Sequence, residues 1–495
     1  LPCNRERYNI DNPIDGQQMV GSKMIKVLSV TSECAPLVKT GGLADVAGAL
    51  PLALAAHNVH MRTLLPGYPA VMKQLAKPKT VMTLADIFGG TVRVLASTIA
   101  GLDLLVVDAP HLFKREGNIY SGYDGAEWND NPERFSALCQ VAANIARNGI
   151  DGWQPDVCHG HDWQAGLMPE YMRGDKKRPA TVMTIHNIAF QGLADPITIG
   201  KLGLDPYRFT RDGYEFWGKV SSLKAGLMSA DRITTVSKTY AAELMRPEFG
   251  MGLEGVIDKR RYSLTGIVNG IDDVVWNPTT DLAITPYKTP AGKAKNKAAL
   301  QAEFGLEKSD GPLCVVVSRL THQKGLDMLL QSLPTLLDRG GQLIVLGTGD
   351  SGLEAAFRAE TRHKNVAVHI GYDEDMSHRL IAGGDAILVP SRFEPCGLTQ
   401  LYALRYGTVP LVSLTGGLAD TVINTSAAAM AMKCATGIQV TPVTANALSL
   451  ALTDLCDLYA NKTVWKMLQK NGMKQPVNWD ASAGAYAALY KDLIK

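Results

Sequence analysis

The residues best placed to do chemistry sit next to glycines that follow apolar runs. Arg319 and Lys324 stand five positions apart in Val317-Ser-Arg-Leu-Thr-His-Gln-Lys-Gly325, just ahead of a helical pattern. A planar guanidinium beside a point-like ammonium at a helix start suits a diphosphate, and the same pair also suits a solvated surface. Further on, the apolar run Ala386–Pro390 leads into Ser391-Arg-Phe-Glu-Pro-Cys-Gly-Leu-Thr-Gln400. There Glu394 can accept sugar hydroxyls or support a cationic centre; it can equally cap a helix or join an ion pair. The backbone amides of Gly397, Leu398 and Thr399 fall at the next helix start, where N–H groups meet phosphate oxygens. In the first half, Lys39 abuts Thr40-Gly-Gly-Leu-Ala-Asp45, and the same six letters return as Thr415-Gly-Gly-Leu-Ala-Asp420, with Leu414 in place of the lysine. Such glycines admit a ligand close to the backbone; they also serve as plain turns.

Other polar residues follow strand-like runs in the same way. His159 and His161 flank a glycine in Cys158-His-Gly-His-Asp-Trp163, and His186-Asn187 follows Thr181–Ile185. Cys158, His159 and His161 do not make a zinc site: neighbours on an extended segment point to opposite faces, and no fourth ligand is near. Asp373-Glu-Asp375 reads as a solvated loop, so no essential metal is expected. Tyr372 can stack on a nucleobase or simply pack.

These residues need strands to place them. Lys26–Val30, Arg62–Leu65, Leu104–Asp108, Pro155–His159, Thr181–Ile185 and Arg232–Val236 read as strands in the first half. Leu313–Ser318, Gln342–Leu346, Val366–Ile370, Ala386–Pro390 and Val409–Ser413 do so in the second. Apolar strands alternating with helices imply α/β domains built on parallel sheets covered on both faces, with ligands beyond the carboxyl ends of the strands. At 495 residues the chain needs more than one core. The boundaries expected are a tail at 1–23 ahead of Met24, domains at 24–268 and 269–476, a terminal segment at 477–495, and a hinge near 265–285. A net charge of +2 gives no electrostatic case for nucleic acid or a membrane surface, and no apolar stretch is long enough for a span. Eight scattered cysteines without a C-x-x-C pair read as reduced thiols.

Taken together, Lys39-Thr-Gly-Gly-Leu43, His159-Gly-His-Asp-Trp163, Thr184-Ile-His-Asn187, Val268-Asn-Gly-Ile-Asp272, Ser318-Arg-Leu with Gln323-Lys-Gly325, and Ser391 to Gln400 resemble bacterial glycogen synthase and plant starch synthase. The resemblance runs in order from Met24 to the C-terminus, and Ala44 brings it closer to the bacterial enzymes. It implies the GT-B architecture, two Rossmann-like doubly wound domains facing across a cleft. It further implies transfer of glucose from ADP-glucose to the non-reducing end of an α-1,4-glucan, with retention, in the cytoplasm or, in a photosynthetic eukaryote, the plastid stroma. ADP-glucose is then a substrate, and no cofactor is expected.

By matching positions, the resemblance implies that Arg319 and Lys324 neutralise the diphosphate, with Lys39 and Gly42 reaching the same phosphates or the sugar from the opposite domain. Glu394 and the backbone from Cys396 to Thr399 would hold sugar and phosphate. His186, Asn187 and Asn269 would meet the donor glucose, Tyr372 the adenine, and Asp45 the ribose or acceptor. His161 and Asp162 would touch the acceptor, and the segment 477–495 would cross back to the first domain. No residue offers itself as a nucleophile, so front-face attack is expected. A Rossmann dehydrogenase would need a G-x-G-x-x-G after the first strand, which is absent.

Overall fold

The computed structural model describes residues 23–123 and 125–495; the expected tail therefore lies outside the described residues, apart from Lys23. Two large sheets organise the chain, each made from the apolar runs named above. The first has nine strands, and Ile25–Val30 and Val59–Pro66 sit at its centre. The second has six, all parallel: Val366–Ile370, Gln342–Gly347, Leu313–Val317, Ala386–Val389, Val409–Ser413 and Ile438–Val440 in spatial order. The side chains of the four inner strands are almost all buried on both faces, which is why these strands read as continuous apolar runs. The helices that cover them carry a buried stripe: Leu326, Leu329, Leu333 and Leu336 on Leu326–Asp338 recur at three- and four-residue steps.

The first sheet departs from the all-parallel expectation at one edge. Lys79–Leu84 and Val92–Ile99 pair antiparallel, and the latter pairs antiparallel with Leu102–Asp108. Ala100 and Gly101, both at positive φ, close that hairpin in two residues. Lys79–Leu84 has no fully buried position and Val92–Ile99 mixes buried with partly exposed ones, so they lack the apolar signature of the central strands.

Two short crossings join the sheets. Ile267 packs in the first core and Ile271 in the second; on the return, Val477 belongs to the second core and Trp479 to the first. The crossings run side by side, with the Ile271 amide donating to the Val477 carbonyl at 2.8 Å. The connection is thus narrower than the span 265–285. Beyond Ile271 the chain is already fastened to the second domain: Trp276 is stacked between His378 and Tyr402, with ring centroids 3.8 and 3.7 Å away. Asp281 Oδ2 accepts from His378 Nδ1 and Tyr406 OH. The last helix, Asp480–Leu493, lays Ala483, Tyr486 and Tyr490 against Val27, Leu50 and Leu54 of the first domain.

Candidate active site between the two domains

The second domain brings a carboxylate and a lysine together from neighbouring strand ends. Glu394 follows the strand Ala386–Val389 and is only 6% exposed. Its Oε2 accepts from Lys324 Nζ at 2.5 Å and from Ser391 Oγ at 2.9 Å. Lys324 lies in the turn after the adjacent strand, Leu313–Val317. Gly325 permits the approach: its φ is +65°, and a Cβ there would run into the Pro390 carbonyl oxygen. The two loops are laced together by the Arg392 amide, which donates to the Gln323 carbonyl at 2.8 Å. The Arg392 guanidinium turns to scaffold duty, forking onto Asp327 with both arms at 2.7 Å. Arg319, on the same turn as Lys324, is exposed and makes no ion pair among the described residues.

Behind Glu394, Gly397 sits at φ +71° and the helix Thr399–Tyr406 begins. The amides of Gly397, Leu398 and Thr399 find no acceptor among the described residues, as expected for a first helical turn. Cys396 is buried, and its thiol is pushed up to about 12 by that burial, with the Asn269 amide close by. The side-chain Oδ1 of Asn269 is buried and without a hydrogen-bond partner. A buried, unmet acceptor at a cleft is a place where a ligand hydroxyl would fit.

The first domain faces this assembly with its glycine loop. Leu398 Cδ1 lies 3.5 Å from where a Cβ on Gly42 would be, so the two loops touch. Lys39 Nζ stands 2.9 Å from Asp45 Oδ1 and 3.8 Å from Glu374 Oε1 of the second domain. Burial pushes the Asp45 carboxyl up, against the pull of Lys39. Glu374 also accepts from the hydroxyl of Tyr372, whose ring is largely exposed. The stretch Asp373–Asp375 is therefore not a solvated loop: Asp373 caps the helix Glu374–Gly383 by accepting from the Met376 amide, and Glu374 spans the cleft.

The loop itself is shaped by a carboxylate that the sequence did not announce. Glu33 is buried and accepts from the Thr40 amide at 2.5 Å, Thr40 Oγ1 at 2.7 Å and Tyr120 OH at 2.7 Å. The second copy of the string repeats this clasp with a partner from the other domain. Glu243 accepts from Thr415 Oγ1 at 2.8 Å and from the Gly416 amide at 3.0 Å. In return Asp420 accepts from the Thr239 amide at 2.9 Å and Thr239 Oγ1 at 2.6 Å. Gly416, at φ +43°, presses so close to the Glu394 carbonyl that a Cβ would collide, and the Gly417 amide donates to that carbonyl at 3.1 Å.

The histidines occupy the ends of two adjacent parallel strands, Val157–His161 and Ala180–Ile185. His186 reaches the cleft edge at 9% exposure, whereas His161 is fully buried. His161 therefore cannot touch an acceptor: it shares a hydrogen bond with the His186 ring, Nδ1 to Nε2, at 3.0 Å. Asp162 Oδ1 is likewise committed, accepting from the His186 and Asn187 amides at 2.7 and 3.3 Å. The Asn187 side-chain oxygen folds back to accept from the Ala189 amide, while its amide nitrogen has no partner among the described residues.

Comparison with known proteins decides the family. The family described as starch synthase catalytic domain matches residues 26–259, and glycosyl transferases group 1 matches residues 300–472. The glycogen synthase of Jannaschia sp. is 60% identical over 470 residues, 94% of this chain and 99% of that protein. The chain belongs to the glycogen synthase family. The glycogen synthase of Paracoccus denitrificans is similar at 59% identity, again over 94% and 99% of the two chains. Among solved structures, the catalytic domain of starch synthase IV from Arabidopsis thaliana, bound to ADP and acarbose, superposes with a TM-score of 0.84 at 29% identity. That match covers 96% of this chain and all of the other. Sucrose-phosphate synthase from Thermosynechococcus elongatus shares the fold, with a TM-score of 0.58 at 19% identity over 95% and 99% of the chains. This member of the glycogen synthase family is thus a glycosyltransferase of GT-B architecture, its two Rossmann-like sheets facing across the cleft. Among its described residues, no helix is long and apolar enough to cross a membrane.

Proposed function

We propose that this protein transfers glucose from ADP-glucose to the non-reducing end of an α-1,4-glucan with retention of configuration. The observation that carries the reading is the meeting of Lys324 and Glu394 with the Gly42 loop and Lys39 of the opposite domain. Arg319 and Lys324 take the diphosphate, and Lys39 approaches it from the facing loop. Their charge stabilises the leaving ADP as its bond to the sugar breaks. Glu394, the unmet Asn269 oxygen and His186 hold the glucosyl hydroxyls, and Tyr372 stacks on the adenine. Asp45, paired with Lys39, holds that lysine in place.

Glu394 is engaged by Lys324 and Ser391, which suits a fixed sugar ligand better than a free nucleophile. We therefore favour front-face attack. The acceptor O4 bonds to the anomeric carbon as its bond to the phosphate oxygen breaks, and the O4 proton passes to that oxygen. Nothing in this scheme calls for a cofactor. The relatives' names and the ADP and acarbose held by the Arabidopsis enzyme support this donor and acceptor. The bacterial relatives support a cytoplasmic setting.

Initial rates on glycogen with ADP-glucose and UDP-glucose side by side test the assignment. ADP-glucose is expected to lead by at least tenfold, and equal or UDP-favoured rates would overturn the donor. A glucosyl-enzyme trapped on any residue would overturn the front-face route.

A further inference from the structure

Three imidazoles lie in contact at the strand ends of the first domain, and only one of them borders the cleft. His159 and His161 have ring centroids 4.3 Å apart, and His161 and His186 5.2 Å. His159 is pinned at both nitrogens, by Tyr490 OH at 2.7 Å and Thr184 Oγ1 at 2.6 Å. His161 is also held at both, by His186 Nε2 at 3.0 Å and Ser29 Oγ at 3.2 Å. Burial holds His161 down to about 3 and His186 well below the ordinary histidine range, so neither ring is charged near neutral pH.

Between two neutral rings, the bond from His161 Nδ1 to His186 Nε2 needs one proton, and its position has a consequence. If His161 is protonated on Nδ1, it donates, and the His186 proton must sit on its own Nδ1. If His161 is protonated on Nε2, pointing at Ser29, then His186 donates and its Nδ1 is a bare acceptor. His186 Nδ1 has no partner among the described residues, so it is the nitrogen available to a ligand. The next residue, Asp162, holds the same histidine by its backbone. It adopts φ +54°, unusual for a residue with a side chain, and its Oδ1 accepts from the amides of His186 and Asn187.

We propose that His161 and Asp162 are positioning residues for His186: His161 fixes the tautomer of the His186 ring and Asp162 its backbone, so that His186 Nδ1 offers one defined hydrogen-bond character to a hydroxyl of the bound glucosyl group. The ligand half of this statement rests on the proposed function; the tautomer half does not. The order of residues in His159-Gly-His-Asp162 then has a physical reason, since two consecutive side chains grip the residue just past the end of the neighbouring strand.

The test is long-range proton–nitrogen NMR of the full chain with nitrogen-labelled histidine, the His186 signals being assigned by their loss in His186→Asn. Without any substrate at pH 7, His186 is expected in a single neutral tautomer in the wild type, and as a mixture in His161→Phe. His161→Gln, whose amide can still meet Nε2, should restore one form. Glucosyl transfer in His161→Phe should fall about tenfold in kcat/KM and recover in His161→Gln. A mixture already present in the wild type, or an unchanged single form in His161→Phe, overturns the proposal. If His161→Phe does not fold, Ser29→Ala decides: a mixture at His186 upholds the relay, and an unchanged spectrum overturns it. A wild type with one tautomer but no transfer from ADP-glucose would count against the proposed reaction alone.

Discussion

Lys324 and Glu394 are each other's main charged partner, with side chains 18% and 8% exposed. Removing one leaves the other desolvated and alone, which is more damaging than removing both. Lys324→Met and Glu394→Gln should each lower kcat about a hundredfold or more. In urea melts each single variant should lose stability, and the double variant should recover much of that loss while remaining inactive. A double variant no more stable than the worse single variant would show that the pair is not coupled. This site was legible because Arg319, Lys324 and Glu394 lie in short strings beside glycines, where residue type and spacing are local properties. Glu33, Glu243 and Glu374 were not legible, since each acts on atoms brought to it by another element. Glu33 lies seven residues before the amide it holds, and Glu243 lies 173 positions from its own. His161 was misread for the same reason: its burial comes from His159, Ser29 and His186, which meet only in the folded sheet.

Two short helices, Lys238–Glu243 and Gly416–Thr421, join the domains by exchanging carboxylates. Each gives an acid to the amino end of the other, where unpaired amides and the helix field favour negative charge. Burial raises the Glu243 carboxyl above the ordinary glutamate range, although its bonds from Gly416 and Thr415 pull the other way. Glu243→Ala should cost about 1–3 kcal/mol of stability, because it strands the Gly416 amide and the Thr415 hydroxyl. It should also widen the distribution of interdomain distances seen by small-angle X-ray scattering. A variant unchanged in both respects would rule out the helix pair as a joint. At this scale the sequence was read well where a strand is apolar on both faces and poorly where it is not. Leu313–Val317 and Ala386–Val389 were visible; Lys79–Leu84 and Val92–Ile99, half exposed at an edge, were not.

Across the whole molecule, the last helix ties the end of the chain to the histidines of the first domain through Tyr490. His159, His161 and His186 are all depressed by burial, so the folded protein holds them neutral where the unfolded chain would bind protons. Their stabilisation is complete above the unfolded value, near 6.5, and is lost as pH falls below it, down towards about 3 for His161. Three such groups predict a loss of about 3 kcal/mol on going from pH 6.5 to 5.5, measurable as the change of unfolding free energy over that interval. A slope of one proton or less would mean that the rings titrate in place. The two-domain plan was legible from the order of strands, but the narrowness of the crossing was not, because Trp276 and Asp281 look like loop residues until His378 and Tyr402 close around them. One feature of the cleft bears on how a donor enters. Lys324 already has Glu394, and Lys39 already has Asp45 with Glu374 close by. On the proposed reading, a diphosphate arrives as one salt displacing another, and entry is an exchange of counter-ions in which the carboxylates must yield or turn to the sugar. On the same reading Arg319, which makes no ion pair among the described residues, can bind before anything is released, so the first handhold and the final grip belong to different residues.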